Sequence, residues 1–499
     1  MFSVGAIILA TLLALPTVSP LPLTTNCHTN PNSPLDGRPS FSFAPLLGGD
    51  RPHGLINDSY IVVLKKETSV AHLRNHVNFL QAVQKENPLL GGNIGIRHVY
   101  DGPINGYTGR FSETAMHQLR SMPEVEYIEH DRLVHTIGTL DIATQTGAPW
   151  VRPSPNEPPR PAFAPDIRKY QYDPPGGEGA DVYVMDSGIN VGHVEFEGRA
   201  SWGKTLVQDD VDQDQNGHGT HCAGTIASRK YGVAKAATVI AVKVVRSDGY
   251  GSMSDIIAGI SYVVSSASAK AAAAQQEYEA TGRTAYKGSV VNMSLGLRGV
   301  SRAGNQAVNG AIEKGIHFVV AAGNDDADAC TYTPASSNAI TVGASTQNDE
   351  RAYFSNHGPC VDVFAPGLNV LSTFKGTLDA TAVMSGTSMA SPHTVGLVAY
   401  LLGIYPSHTF DPVFGSAFGF LPPAQQVQHP LDVYALLRAA FPWPFANLLP
   451  APRAPERPDA LTPAQMKIAL LALATQDKLS GLPANTPNAL IFNNASTVA

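Results

Sequence analysis

The 499-residue chain predicts an α/β fold: a parallel sheet flanked by helices on both faces, preceded by a small α/β sandwich. Three observations carry that reading. From Ala180 onward, short Val/Ile/Ala-rich runs alternate with helical patterns, and uninterrupted apolar runs are what strands covered on both faces require. Residues 55–136 carry a separate strand–helix rhythm of their own. A Pro-rich stretch, 152–175, then divides the two regions, and so much proline admits only a surface loop.

The bulk numbers agree. The length exceeds one ordinary domain, and 43% hydrophobic with 15% charged residues describes a globular chain. A net charge of −7 argues against a dedicated nucleic-acid binder, which would carry a basic patch.

Residues 1–20 hold an apolar run from Val4 to Leu15 and no charged side chain. The run is too short to span a bilayer and sits where a secretory signal sits. A buried N-terminal helix is the other reading. No later stretch reads as membrane-crossing. In the small sandwich, 59–65 reads as a strand, 71–84 as a helix, and 107–112 and 125–131 as strands. A linker, 135–150, follows. Strands are then expected at 181–185, 239–245, 289–293, 317–321 and 340–343, and helices at 218–228, 252–265 and 306–314. The Ala-rich 264–279 extends the second helix. Residues 410–458, rich in Pro, Phe and Leu, read as an insertion, and 461–494 as a closing helix and tail.

Three stretches place a reactive side chain beside glycine: Asp186 in D-S-G-I, His218 in N-G-H-G-T-H-C-A-G, and Ser388 in S-G-T-S-M-A-S-P. Each has a bland reading alone. An Asp ending a strand is commonly a turn former, a His among His and Cys invites a metal, and a Ser at a helix start is usually a cap. Together they supply a hydroxyl, a base to activate it and a carboxylate to orient the base. Gly386 lets a substrate carbonyl approach. The first turn after it, with Pro392 tolerated there, aims free N–H groups at developing negative charge. His221 and Cys222 add metal-like spacing to His218, but no H-E-x-x-H glutamate is present, so His221 reads as structural.

The chain order Asp, His, Ser, at separations of 32 and 170 residues, resembles the subtilisin-like serine proteases, in their proteinase K and cerevisin branch. The G-x-S-x-G of an α/β-hydrolase esterase is broken by Ala390, and a silent peptide-binding scaffold would not keep every catalytic position filled. The resemblance implies a serine endopeptidase acting through an acyl-enzyme, with Asn324 of A-A-G-N-D as oxyanion donor. It implies an inhibitory pro-domain at about 55–136 within a propeptide spanning 21–142. The catalytic domain would be 143–499, its junction falling within 136–144. Substrate would add as a strand between Gly249, Tyr250, Gly251 and Ser294, Leu295, Gly296. Gly251 and Gly296 would leave room for its backbone, and apolar or aromatic residues would be preferred before the scissile bond. Leu297 departs from the family's commoner glycine.

The resemblance also implies a Cys330–Cys360 disulfide, two free thiols being the alternative reading. Cys27 would leave with the pro-region, and Cys222 would stay a buried thiol. No cofactor is needed for the chemistry. A structural calcium is a family option, and Asp209, Asp210, Asp212 and Asp214 offer oxygens at alternating spacing, though an acidic solvated turn reads equally well. Thr346 stands where relatives carry a carboxylate. Of the glycosylation sequons, Asn57 leaves with the pro-region, Asn292 falls in a core strand, and Asn494 is the acceptor. The expected partners are protein and peptide substrates and the chain's own pro-domain, in a secreted monomer (alternatively vacuolar) that binds neither nucleic acid nor membrane.

Overall fold

The strand Val125–Thr136 joins the two parts of the computed structural model, which describes residues 43–49, 54–86, 95–140, 172–208, 211–407, 410–412 and 460–493. Its first half pairs antiparallel with Leu55–Leu64, which continues through Gly106–Arg110 to Gly95–Tyr100. Side chains alternate across this sheet. Val62, Tyr107 and Ile128 pack with Leu80, Met116 and Leu119 of the helices Val70–Glu86 and Glu113–Arg120. Ile61, Val63 and Tyr127 face the other way, onto Ile256, Ile260 and Val308 of two further helices, Met253–Thr281 and Arg302–Glu313. The small sandwich is therefore packed on both faces. Gly95–Tyr100, absent from the sequence reading, buries only Tyr100 and so shows no apolar alternation.

The second sheet has nine strands, ordered Thr475–Gln476, Ala489–Leu490, Val363–Pro366, Ile340–Ser345, His317–Ala321, Gly288–Met293, Ala180–Asp186, Thr238–Lys243, Ala200–Thr205. All neighbours are parallel except the first pair. Val182, Val184, Val290 and Val319 pack under Ala223, Ile226, Val395 and Val398 of the helices His218–Ala227 and Thr387–Ile404. Tyr183, Met185, Val291 and Val320 face the opposite helices, Met253–Thr281 and Arg302–Glu313. Both faces are covered, as the continuous apolar runs require.

The five expected strands of this sheet are present within two residues of their expected ends. The edge strand Ala200–Thr205 (A-S-W-G-K-T) was not readable, because it has no fully buried residue to set an apolar rhythm. Met253–Thr281 corrects another expectation. It is long and apolar enough to cross a membrane, yet its apolar side is buried in the core through Ile256, Ile257, Ile260 and Val263. Ser252 caps its start by accepting from the Asp255 N–H.

Cys330 and Cys360 form a disulfide (S–S 2.11 Å), and Cys222 is a buried free thiol. Cys27, Asn494, residues 1–42, 141–171 and 413–459 lie outside the described residues.

Candidate active site

Asp186 ends its strand at the carboxyl edge of the sheet, where open α/β folds gather their sites. His218 opens the next helix, and its Nδ1–H donates to Asp186 Oδ1 at 2.8 Å and Oδ2 at 2.9 Å. The helix must approach the strand closely for this. A Cβ on Gly219 would lie 2.2 Å from the Gly188 carbonyl oxygen, so only glycine fits. Burial works against a charged imidazole, but the Asp186 carboxylate, together with Cys222 beside the ring, outweighs it and holds the His218 pKa well above its ordinary value. His218 Nε2 is buried without a hydrogen-bond partner among the described residues.

Ser388 sits in the first turn of the Thr387–Ile404 helix, with Gly386 at the N-cap. Its Oγ donates to the Ser294 carbonyl at 3.0 Å. The expectation that Pro392 lies in the tolerant first turn is corrected, because the helix begins at Thr387 and puts Pro392 inside it. A residue there would normally donate to the carbonyl four positions back. That carbonyl is Ser388's, and Ser294 Oγ at 3.1 Å and the Cys222 thiol at 3.4 Å donate to it instead. The proline is accommodated by side chains from two other segments.

Asn324 is held as a directed donor. Its Oδ1 accepts from the Thr387 N–H at 2.9 Å and Thr387 Oγ1 at 2.8 Å, which leaves Nδ2 pointing the other way, to the Ile137 carbonyl at 3.1 Å. Thr387 was not foreseen as functional. Its only sequence signal is its place directly before Ser388.

The second half of Val125–Thr136 lies between the two expected walls. Tyr250 pairs with His135, Gly251 with Val134 and Ser252 with Leu133 on one side. Leu295 pairs with Thr136 and Gly296 with His135 on the other. The Thr136 N–H donates to the Gly249 carbonyl at 3.0 Å and the Ile137 N–H to the Ser294 carbonyl at 3.4 Å. Both glycines lie close to a backbone carbonyl of the body. A Cβ on Gly296 would lie 2.8 Å from the Thr333 carbonyl oxygen and 3.0 Å from Ile137 Cδ1, so glycine there answers both to packing within the body and to the strand beside it. One on Gly251 would strike the Val244 carbonyl oxygen at 2.3 Å, so that glycine serves packing within the body of the protein. Leu297 lines the cleft cavity with Ile137, Gly296 and Asn324, and the rest of its side chain is buried with Leu295.

Metal readings fare poorly. Asp186, His218 and Cys222 are the one cluster of potential ligands among the described residues. However, Nδ1 is committed to Asp186, and burial raises the Cys222 pKa, keeping the thiol protonated. His221 donates its Nε2–H to the Val370 carbonyl (2.9 Å), and burial pushes its pKa down to about 3, so it is a neutral structural histidine.

In the described part of the acidic loop, Asp214 is engaged as a turn organiser, one of the two readings of that loop. Asp214 accepts five hydrogen bonds, from Ser187 Oγ, the N–H groups of Asn216, Gly217 and Thr220, and Thr220 Oγ1. The fully buried Lys243 donates its ammonium to the carbonyls of Val211 (3.3 Å) and Gln213 (2.7 Å). Asp212 accepts from Thr205 Oγ1, and Asp209 and Asp210 lie outside the described residues. Turn amides and hydroxyls thus occupy the Asp214 carboxylate, and Lys243 two carbonyls of the same loop. Asp214 and Ser187, whose Oγ in turn accepts from the Gly219 N–H at 3.0 Å, lock the His218 turn against Asp186.

Residues 177–417 match the Subtilase family and residues 59–137 match Peptidase inhibitor I9. The chain is 43% identical over 459 residues to "Alkaline protease 2" of Aspergillus fumigatus, covering 89% of this chain and 82% of that protein. The chain belongs to the subtilase family. Its relatives include "Subtilisin-like protease 8" of Trichophyton verrucosum, 43% identical over 469 residues and covering 91% and 85% of the two chains. A solved structure titled a cold adapted subtilisin-like serine proteinase is 34% identical, with a TM-score of 0.47, and covers 65% of this chain and 92% of that one. This subtilase is therefore a serine protease that carries an inhibitor-type propeptide domain.

Proposed function

We propose that the chain is the zymogen of a secretory-route serine endopeptidase in which Ser388 is the nucleophile, His218 the base, Asp186 its orienting carboxylate and Asn324 the oxyanion donor. One observation carries this reading. His218 is anchored to Asp186 through one ring nitrogen, while the other is buried and unpartnered in the cleft that holds the Ser388 hydroxyl. A rotation about the Ser388 Cα–Cβ bond exchanges its Ser294 acceptor for Nε2. The proton then passes to the imidazole as Oγ attacks the substrate carbonyl. The Asn324 amide, fixed by Thr387, binds the resulting oxyanion.

Substrate is added as a strand between Tyr250–Ser252 and Leu295–Arg298, with main-chain contacts that tolerate many sequences. A cavity of about 300 Å³ whose lining includes Ile137, Gly296, Leu297, Asn324 and Tyr332, with Arg298 and Asp325 also present, supports apolar or aromatic residues before the scissile bond, with space beyond an isoleucine. The pro-domain, seated in that cleft, acts as the intramolecular inhibitor. The apolar run of residues 4–15 supports entry to the secretory route, ending outside the cell or in a vacuole.

The test is expression of the full chain beside Ser388→Ala, followed by mass and casein cleavage. The native chain should shorten, cleave casein and be blocked by a serine-directed acylating inhibitor but not by a zinc chelator. Equal processing of both chains without any added protease would overturn the reading.

A further inference from the structure

We infer that the bond cut in self-processing is Ile137–Gly138, and that glycine at 138 is what lets the chain present it. The inference rests on the proposed roles of Ser388, His218 and Asn324, and it names the first substrate of that site. Four independent contacts converge on this one bond. The directed Nδ2 of Asn324 donates to the Ile137 carbonyl at 3.1 Å. A Cβ on Gly386, beside the nucleophile, would lie 2.8 Å from that same oxygen and 3.2 Å from Gly138 Cα, so the bond is pressed against the start of the Ser388 helix. The Ile137 N–H and the Ser388 hydroxyl both donate to the Ser294 carbonyl, at 3.4 and 3.0 Å, which places the hydroxyl beside residue 137. A Cβ on Gly138 would be 3.1 Å from His218 Nε2, the unpartnered atom that must deliver a proton to the leaving nitrogen.

The register agrees on both sides of the bond. Residues 133–136 are paired with the two cleft walls, while Thr139 and Leu140 pair with Ser385 and Met384 of Thr381–Ser385. The match to Peptidase inhibitor I9 ends at residue 137. The mature chain then starts at Gly138, inside the 136–144 window read from the sequence and ahead of the start at 143 placed there.

The chemistry balances with water as the only co-reactant. Ser388 Oγ bonds to the Ile137 carbonyl carbon as its proton moves to His218 Nε2. The C–N bond to Gly138 breaks, and that proton goes to the Gly138 nitrogen, freeing an α-amine. Water then adds to the ester carbon, lends a proton to His218, and Ser388 leaves with it, so that Ile137 ends in a carboxylate.

The experiment uses the full chain, sampled early in maturation by intact mass and N-terminal sequencing, beside Ser388→Ala and Gly138→Val. A first mature N-terminus at Gly138, an uncut Ser388→Ala chain, and a Gly138→Val chain processed about 10- to 100-fold more slowly are expected, because a β-branched side chain displaces the imidazole it would touch. A first mature N-terminus elsewhere, with Ser388→Ala still uncut, overturns the assignment of the bond and leaves the protease reading intact. Cleavage of Ser388→Ala at the native rate sinks both. Gly138→Val processed at the native rate between 137 and 138 refutes the need for glycine, and the native N-terminus still decides the bond if that variant fails to fold.

Discussion

Asp214 touches neither substrate nor the reacting atoms, yet replacing it should damage both stability and turnover. Alanine would strand the N–H groups of Asn216, Gly217 and Thr220, together with the hydroxyls of Ser187 and Thr220. The hydroxyls can rotate to other partners, but the three N–H groups cannot. At about 1–3 kcal/mol for each unsatisfied buried donor, and with partial relief by entering water, the loss should be about 3–5 kcal/mol. Asparagine keeps one acceptor oxygen. With its NH2 in the Oδ2 position, Thr220 can turn its hydroxyl to accept, leaving only the Thr220 N–H opposed, for a cost of about 1–2 kcal/mol. Denaturant unfolding in a Ser388→Ala background, which removes self-digestion, measures both. The same turn carries His218, whose N–H donates to Asn216 Oδ1 at 3.2 Å. A shift of the ring by about 1 Å costs roughly 100-fold in rate. The defect should appear in kcat, because the peptide-pairing strands lie elsewhere. Asp214→Ala within about 1 kcal/mol of native stability, or with native kcat, would refute this account of the loop.

Other outcomes follow from the same geometry. Asn324→Ala should lower kcat by about 100- to 1,000-fold with KM little changed, and a KM-dominated loss would count against an oxyanion role. Asp186→Asn should reduce activity by about 10,000-fold. It should also move the acid limb of the kcat/KM profile to lower pH, because the neutral imidazole is the active form and Asp186 is what raises its pKa; an unmoved limb would contradict that cause. Burial raises the pKa of Asp131 and Glu129 where they cap the helices of the catalytic body, accepting from the N–H groups of Ser254 and Ala303. Carboxylates raised in the docked state favour docking while protonated, so the cleaved pro-domain should be held more tightly at acid pH. It should be released more readily as pH rises from the ordinary carboxylate range through the raised values. Gel-filtration retention of the processed complex across pH checks this, and tighter association at higher pH would refute it.

Much of the architecture was legible because its signals are local. The five central strands announce themselves as apolar runs, since both faces of the sheet are buried, and Ser252 and Gly282 bracket a helix whose Ala-rich second half could be read directly. Local signals also misled. Asp214 sits among acidic neighbours like a calcium ligand, but the partners that claim its oxygens include Ser187, 27 residues away in sequence. Pro392 looks like a first-turn proline until the helix is seen to start at Thr387 and the Ser388 carbonyl to find Ser294 and Cys222. Gly251 stands opposite Val134 on the cleft wall, but sequence could not show that the Val244 carbonyl packs behind it and is what demands glycine.

The fold class and the three glycine-flanked residues with their order belong to the sequence, because residue type, spacing and periodicity encode them within short windows, and the disulfide partners and inhibitor-like unit followed from the family resemblance those residues carry. The tertiary structure alone decided which nitrogen of His218 is free, which way the Asn324 amide points and which peptide bond faces it. Those depend on hydrogen bonds between segments far apart in the chain, Ile137 with Asn324 and Ser294 with Ser388, and no local window contains both partners.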